Sequence, residues 1–277
     1  MSDKNSLPFH TYIPRSPLAD FVDFFWAYEP AAGVERALPT GTMELVINLR
    51  GDRLKVAAQQ RHNTTEVFPG AMICGPHSEY FVIDSEPEEA IVGVHFKPGG
   101  GSLFLPAPAG ELHNTHLALD ALWGTSASWL REQLLEAKTP EARFRLLEQS
   151  LLNQAVQPLT WHPAVAFALK AFQAMPLART IADVTDRIGI SQRWFIQLFR
   201  DTVGLTPKQF CRVLRFQEVL KRIRQGQQVD WVAIALDCGY YDQAHLIRDF
   251  QLFSGLSPTS YVRDRDEQRI NHVLVNQ

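Results

Sequence analysis

No apolar stretch in the sequence approaches the ~20 residues that cross a bilayer, so a membrane-spanning protein is not expected. Cysteine is scarce as well. Cys74, Cys211 and Cys238 are an odd number with no close spacing, which suits buried free thiols rather than a disulfide framework or a zinc site. The opening MSDKNSLPFH lacks both the basic and the apolar region of a signal peptide, and this points to a cytoplasmic location. His62, His77 and His95 with Glu79 are ligand-type residues, but the HxH motif of a cupin metal site is missing, so no metal is expected. GGG at 99–101 is not followed by a Walker lysine and reads as a turn; there is no nucleophile elbow. The sequence therefore offers no catalytic residue and calls for no cofactor.

What is present is a charge asymmetry and a repeat. The net charge of −3 conceals an N-terminal part, 1–175, with 13 Lys and Arg against 19 Asp and Glu. Residues 176–265 carry 13 against 9, a net of +4, as expected of a segment that meets a polyanion. That same segment contains a duplication. TIADVTDRIGISQRWFIQLFRDTVGLTPKQF is followed by DWVAIALDCGYYDQAHLIRDFQLFSGLSPTSY, in which Ile181, Val184, Ile188 and Gly189 match Trp231, Ile234, Cys238 and Gly239. Phe195, Phe199, Gly204, Leu205, Pro207 and Phe210 then match Leu246, Phe250, Gly255, Leu256, Pro258 and Tyr261, one residue having been inserted at Tyr240–Tyr241.

Each copy reads as helix, tight turn, helix. Gly189 and Gly239 end the first helix in the left-handed position that glycine tolerates, and Ser191 and Asp242 stand as N-caps of the second. Phe195, Leu198 and Phe199, or Leu246 and Phe250, form a buried stripe at three- and four-residue spacing. The opposite face carries Gln192, Arg193, Ile196, Gln197 and Arg200 in the first unit, and Gln243, His245, Ile247 and Arg248 in the second. Long donors and amides of this kind read base edges or hold phosphates, so double-stranded DNA is the expected partner. Between the copies, PKQFCRVLRFQEVLKRIRQG predicts a helix of about 19 residues, ~28 Å, close to the ~34 Å turn of B-DNA.

These residues resemble the AraC/XylS family of transcription regulators. The resemblance lies in GYYDQAHLIRDFQLFSGLSPTSYV, around the second unit, and LFRDTVGLTPKQFCRVLRFQEVL, running into the linker helix. It implies base contacts by Arg193, Ile196 and Gln197 in the first unit and by Gln243, Ala244 and Arg248 in the second. Ile196 and Ala244 stand where relatives often have polar side chains, which implies methyl contacts to thymine or a weaker readout. A contact with RNA polymerase, a homodimer and a small-molecule effector are further partners that the resemblance implies. LPTGTMELVINL, VGVHFKPGG and LDALWG also resemble an uncharacterised N-terminal domain type associated with this family.

The expected fold is α+β, with a β-barrel or cupin-like N-terminal domain followed by helices, then an all-α domain of two helix-turn-helix units. Its expected divisions are an effector and dimerisation domain over 1–173 (β-rich over 1–105, helical over 106–173), a linker at 174–179, the DNA-binding domain at 180–265 and a tail at 266–277. FVDFFWAYE, MELVINL, AMICG, YFVID and AIVGVHF predict strands, and 116–122, 126–137, 140–153 and 162–174 predict helices. Leu130, Leu134, Leu147 and Leu151 form an apolar stripe suited to a dimer contact. Alternation places Glu44, Val46 and Asn48 on one sheet face, and Glu44, Asn48, His95 and Trp26 are the candidate polar and stacking groups of an effector pocket. Two other readings stay open at this point: a regulator that needs no ligand, and an enzyme domain fused to a DNA-binding domain.

Overall fold

The computed structural model describes residues 9–30, 32–57, 65–86, 90–156, 158–174, 181–225, 230–264 and 272–274. Its N-terminal part holds the strands β1 (His10–Tyr12), β2 (Val22–Tyr28), β3 (Gly33–Ala37), β4 (Glu44–Asn48), β5 (Arg53–Ala57), β6 (Thr65–Pro69), β7 (Ala71–Cys74), β8 (Phe81–Ser85), β9 (Ile91–Phe96) and β10 (His116–Ala118). Helices α1 (Leu119–Trp123), α2 (Thr125–Glu136), α3 (Pro140–Gln154) and α4 (Pro163–Ala174) follow. The C-terminal part contains α5 (Ile181–Ile188), α6 (Gln192–Val203), α7 (Pro207–Gln225), α8 (Trp231–Asp237), α9 (Gln243–Ser254) and α10 (Pro258–Asp264), and ends on β11 (His272–Leu274).

The strands make two antiparallel sheets, ordered β1-β2-β9-β4-β7-β10 and β11-β3-β8-β5-β6. Period-two alternation sorts their side chains. Phe25, Leu45, Ile47, Val92 and Val94 point from the larger sheet to a core shared with α1, α2 and α3, whereas Trp26, Val46, Met72 and Cys74 point to a smaller core with Leu54 and Val56 of the second sheet. The face carrying Glu44 and Asn48 is thus the one turned toward the other sheet.

Three expectations change here. Leu130, Leu134, Leu147 and Leu151 are all at most 3% exposed and belong to the core beneath the larger sheet, so this stripe is used up within the monomer and is no dimer face. Residues 116–118 are a strand paired with β7, with the helix beginning only at Leu119. Finally, α4 sends Val165, Ala168, Leu169 and Phe172 into the C-terminal core, with Phe172 edge-on to Phe199 at 5.9 Å. Its packing joins it to the helices after 180 and not to the N-terminal sheets. The proposed 174–179 linker lies, apart from Ala174, outside the described residues, as does His62.

Between the two sheets the tilted rings of His77 and His116 lie 4.7 Å apart and both meet Phe81, and the buried Nε2 atom of each has no hydrogen-bond partner among the described residues. Burial pushes His116 down to about 4 and holds His77 well below the usual histidine range, with the neighbouring imidazoles adding to the effect there. Both rings are therefore neutral in the fold. As pH falls below the ordinary value of 6.5, the unfolded chain takes up protons that the folded chain refuses, so stability is lost from there down to the folded pKa. For His116 the shift corresponds to about 3 kcal/mol. Denaturant titrations at stepped pH are expected to show this loss between 6.5 and about 4, and His116→Leu is expected to flatten it; an unaltered pH slope in the variant would contradict the assignment.

Candidate nucleic-acid interface

The duplicated units fold with the caps their sequences specify. Ser191 Oγ accepts from the Trp194 N–H at 3.3 Å, and Asp242 Oδ1 from the His245 N–H at 2.7 Å, so the first turns of α6 and α9 are satisfied locally. At the start of α7, Thr206 and Gln209 exchange hydrogen bonds as a capping box, and Ser257 caps α10 through the Ser260 N–H. Gly204 and Gly255 close α6 and α9 with φ of +87° and +69°. These two glycines do more than turn the chain. A Cβ at Gly204 would collide with Pro76, and one at Gly255 with the ring of Tyr80. The segment after β7 in the N-terminal part therefore touches the end of both second helices at once.

In the first unit Phe195, Phe199 and Val203 are buried. Gln192, Arg193, Gln197 and Arg200 are exposed and Ile196 is half-buried. Gln197 Nε2 donates to Asp201 Oδ1 at 2.8 Å. Arg200 stands apart from the others: its stem lies on Gly110 of the N-terminal part, and burial together with its charge holds His113 below the usual histidine range. In the second unit Leu246, Phe250 and Phe253 are buried, Ala244 and Arg248 exposed, and Gln243, His245 and Ile247 half-buried. His245 packs edge-on to Tyr240 at 5.2 Å.

Helix α7 spans the 19 residues the sequence predicts, but it is not a rod with one unit at each end. Phe210 meets Phe199 of the first unit at 5.6 Å, and only six residues later Phe216 meets Phe250 and Phe253 of the second at 5.2 and 5.1 Å. Arg212 binds the buried Asp249 carboxylate at 2.7 Å, Arg215 donates to the Gly239 carbonyl at 3.4 Å, and Arg222 pairs with Asp237 at 2.8 Å. Both units wrap a shared axle, so their mutual orientation is set by packing along its length.

Two exposed aromatics escaped the sequence reading. Trp194, 47% exposed, lies on α6 beside Arg193, and Tyr241, 88% exposed, projects from the turn before α9. Apolar residues next to a buried stripe look like core in a sequence; the one-residue insertion at Tyr240–Tyr241 was the only hint.

Of the four candidate pocket residues, the fold brings two together. Glu44 and His95 are register partners on β4 and β9, with His95 Nδ1 donating to Glu44 Oε1 at 2.6 Å. Burial disfavours the His95 imidazolium, but the Glu44 hydrogen bond and charge, with Asp23, raise its pKa overall. Asn48 spends its amide on the β4–β5 turn, donating to the Arg53 carbonyl and accepting from the N–H groups of Arg50 and Gly51, each at 3.0 Å. Trp26 lies over Gly93, whose missing side chain makes room for the indole. All four lie on the face of the larger sheet that is turned toward the second sheet, but only Glu44 and His95 hydrogen-bond to each other. Among the described residues no group of three or more metal-ligating side chains comes together, and no helix is long and apolar enough to cross a membrane.

Comparison with known families and proteins agrees with this geometry. Residues 184–264 match the Helix-turn-helix domain family, and residues 10–118 match a domain of unknown function, DUF6597. The C-terminal part is thus an AraC-type helix-turn-helix domain. Among curated relatives, an uncharacterised HTH-type transcriptional regulator of Haemophilus influenzae is 28% identical over 116 residues, 42% of this chain and 39% of that protein. The probable transcriptional regulator LumQ of Photobacterium leiognathi is 24% identical over 164 residues, 54% of this chain and 64% of the relative. This chain thus covers less than two thirds of either. A crystal structure of ToxT from Vibrio cholerae O395 aligns with a TM-score of 0.49 and 9% identity, over 92% of this chain and 98% of that one.

Proposed function

We propose that the chain is a cytoplasmic, sequence-specific transcription regulator that reads adjacent major-groove segments of double-stranded DNA with α6 and α9, and that it is not an enzyme. The observation that carries this reading is the pair of capped helix-turn-helix units on one axle, with Arg193 and Gln197 exposed on α6 and Ala244 and Arg248 exposed on α9. Side chains near the start of a second helix are those that reach base edges in such units, whereas Arg200, against Gly110, is better placed to couple the two halves of the chain. Contacts with RNA polymerase and with a second copy belong to the same reading, though no longer through the buried leucine stripe of α2 and α3.

Selection of binding sites from random DNA, followed by gel-shift titration, tests the proposal. Arg193→Ala and Arg248→Ala are each expected to weaken binding to the selected site by ~1–3 kcal/mol while leaving binding to random DNA nearly unchanged. Equal losses on both DNAs would reassign these arginines to phosphate. Failure to select any sequence would refute the proposed function.

A further inference from the structure

A cleft of about 690 Å³ separates the end of the larger sheet from α4, a volume in the range of small-molecule sites. One wall carries Asp20, Asp23, His95 and Lys97, and the other carries Leu169 and Lys170 of α4, with Trp161 between them. Four of these groups are full charges of both signs. Asp20, Asp23 and Lys170 make no ion pair among the described residues, and Lys97 spends one proton on the Ala19 carbonyl at 2.6 Å, keeping two. Opposite charges that line one cleft without joining each other are arranged for a guest that carries both signs.

We infer that this cleft is the effector site and that it takes a small zwitterion of the α-amino-acid class, its ammonium group held by Asp20 and Asp23, its carboxylate by Lys97 and Lys170, and its side chain against Trp161 and Leu169. The inference rests on the regulator reading and adds to it a place and a chemistry. His95 stands on the sheet wall with its ring fixed by Glu44 behind and stacked on Phe24 at 4.9 Å, so it is a preset polar group rather than a mobile one. The cleft also has a route to the DNA-binding surface. The other side of α4 places Phe172 on Phe199 of α6, so a guest that ties α4 to the sheet stabilises the docking of the first unit on the N-terminal part.

Thermal unfolding of the full chain, measured with each standard amino acid at millimolar concentration and with decanoate and putrescine as single-charge probes, tests the inference. At least one amino acid is expected to raise Tm by about 5 °C or more at a hundredfold excess over its Kd, and neither single-charge probe should match it. Asp23→Asn and Lys170→Gln change exposed side chains, so each variant should fold and lose about tenfold or more in apparent affinity. No shift with any amino acid, a shift only with decanoate or only with putrescine, or a shift that survives both substitutions would overturn the inference. Gel shifts with and without the amino acid that gives the largest Tm rise separate the two readings. Specific DNA binding with no amino-acid response removes the cleft assignment alone, whereas an amino-acid response without specific DNA binding removes the regulator.

Discussion

Arg212→Leu is expected to cost about 3–5 kcal/mol of folding stability and to erase the second of two protected segments in a DNA footprint. The Asp249 side chain is 7% exposed and its strongest partner is Arg212, at 2.7 Å, while His245 stands at 4.0 Å. Removing the guanidinium leaves a nearly buried carboxylate without its closest cation, and also strips a cation from the face of Phe253, 5.3 Å away. The loss should centre on α9, because Asp249 is in that helix and Arg212 in the axle. Replacing both residues by leucine is expected to recover much of the stability, since apolar side chains of similar volume commonly match a buried ion pair. Denaturant melts and footprints of the single and double variants provide the check. A loss below about 1 kcal/mol in the single variant would show that the pair is solvated and that aromatic packing alone orients the second unit.

A fragment beginning at residue 176 is expected to be largely unfolded, whereas one spanning 158–264 should fold and bind DNA, more weakly than the full chain. The division that the sequence suggests would have made the shorter fragment sufficient. Without α4, however, Phe199 loses Phe172, and the core loses Val165, Ala168 and Leu169 with it. Deleting a single buried Phe side chain costs ~3–5 kcal/mol, and a domain has ~5–15 kcal/mol in total, so losing the whole helix face exceeds what such a domain can bear. The weaker binding of the longer fragment follows from the absent Pro76 and Tyr80, which touch the ends of α6 and α9 together. Circular dichroism and gel shifts on both fragments measure this. Cooperative unfolding and full binding by the 176–264 fragment would place α4 back with the sheets.

The axle also sets what an insertion in α7 would do. Two extra residues after Gln217 would separate Arg212 and Phe216, which hold α9, from Arg222, which holds α8, and so would break the second unit rather than merely rotate it.

The helix-turn-helix pair was legible in the sequence because its signals are local: a glycine, a capping oxygen and an apolar stripe within a few residues of one another. The length of α7 was legible for the same reason, being an uninterrupted helical pattern. Allegiance was not. An apolar face tells that a helix is buried but not against what, so α4 was assigned to the wrong core and the leucine stripe of α2 and α3 to a partner copy instead of the sheet above it. Strands β3, β5 and β6 were missed because Glu35 and Arg36 in GVERA, Arg53 and Lys55 in RLKVA and Glu66 in TEVFP interrupt the apolar pattern that marks a strand. In the candidate pocket, strand alternation set Glu44 on the same face as Asn48, but only the register of β4 against β9 shows that His95 is its partner while Asn48 serves a turn.

Strand β11 pairs with β3, and His272 Nδ1 meets Glu35 Oε2 at 3.1 Å across 237 residues of sequence. On the ribosome this separation becomes a delay. While the entire helix-turn-helix region is being synthesised, β3 has one unpaired edge, and an open edge invites pairing with a neighbouring nascent chain. The charges of Glu35 and Arg36 on that strand are suited to discourage such pairing. The sheet is completed only after helices α5 to α10 have been made, so β11 adds its edge to β3 across the whole of the C-terminal helical part.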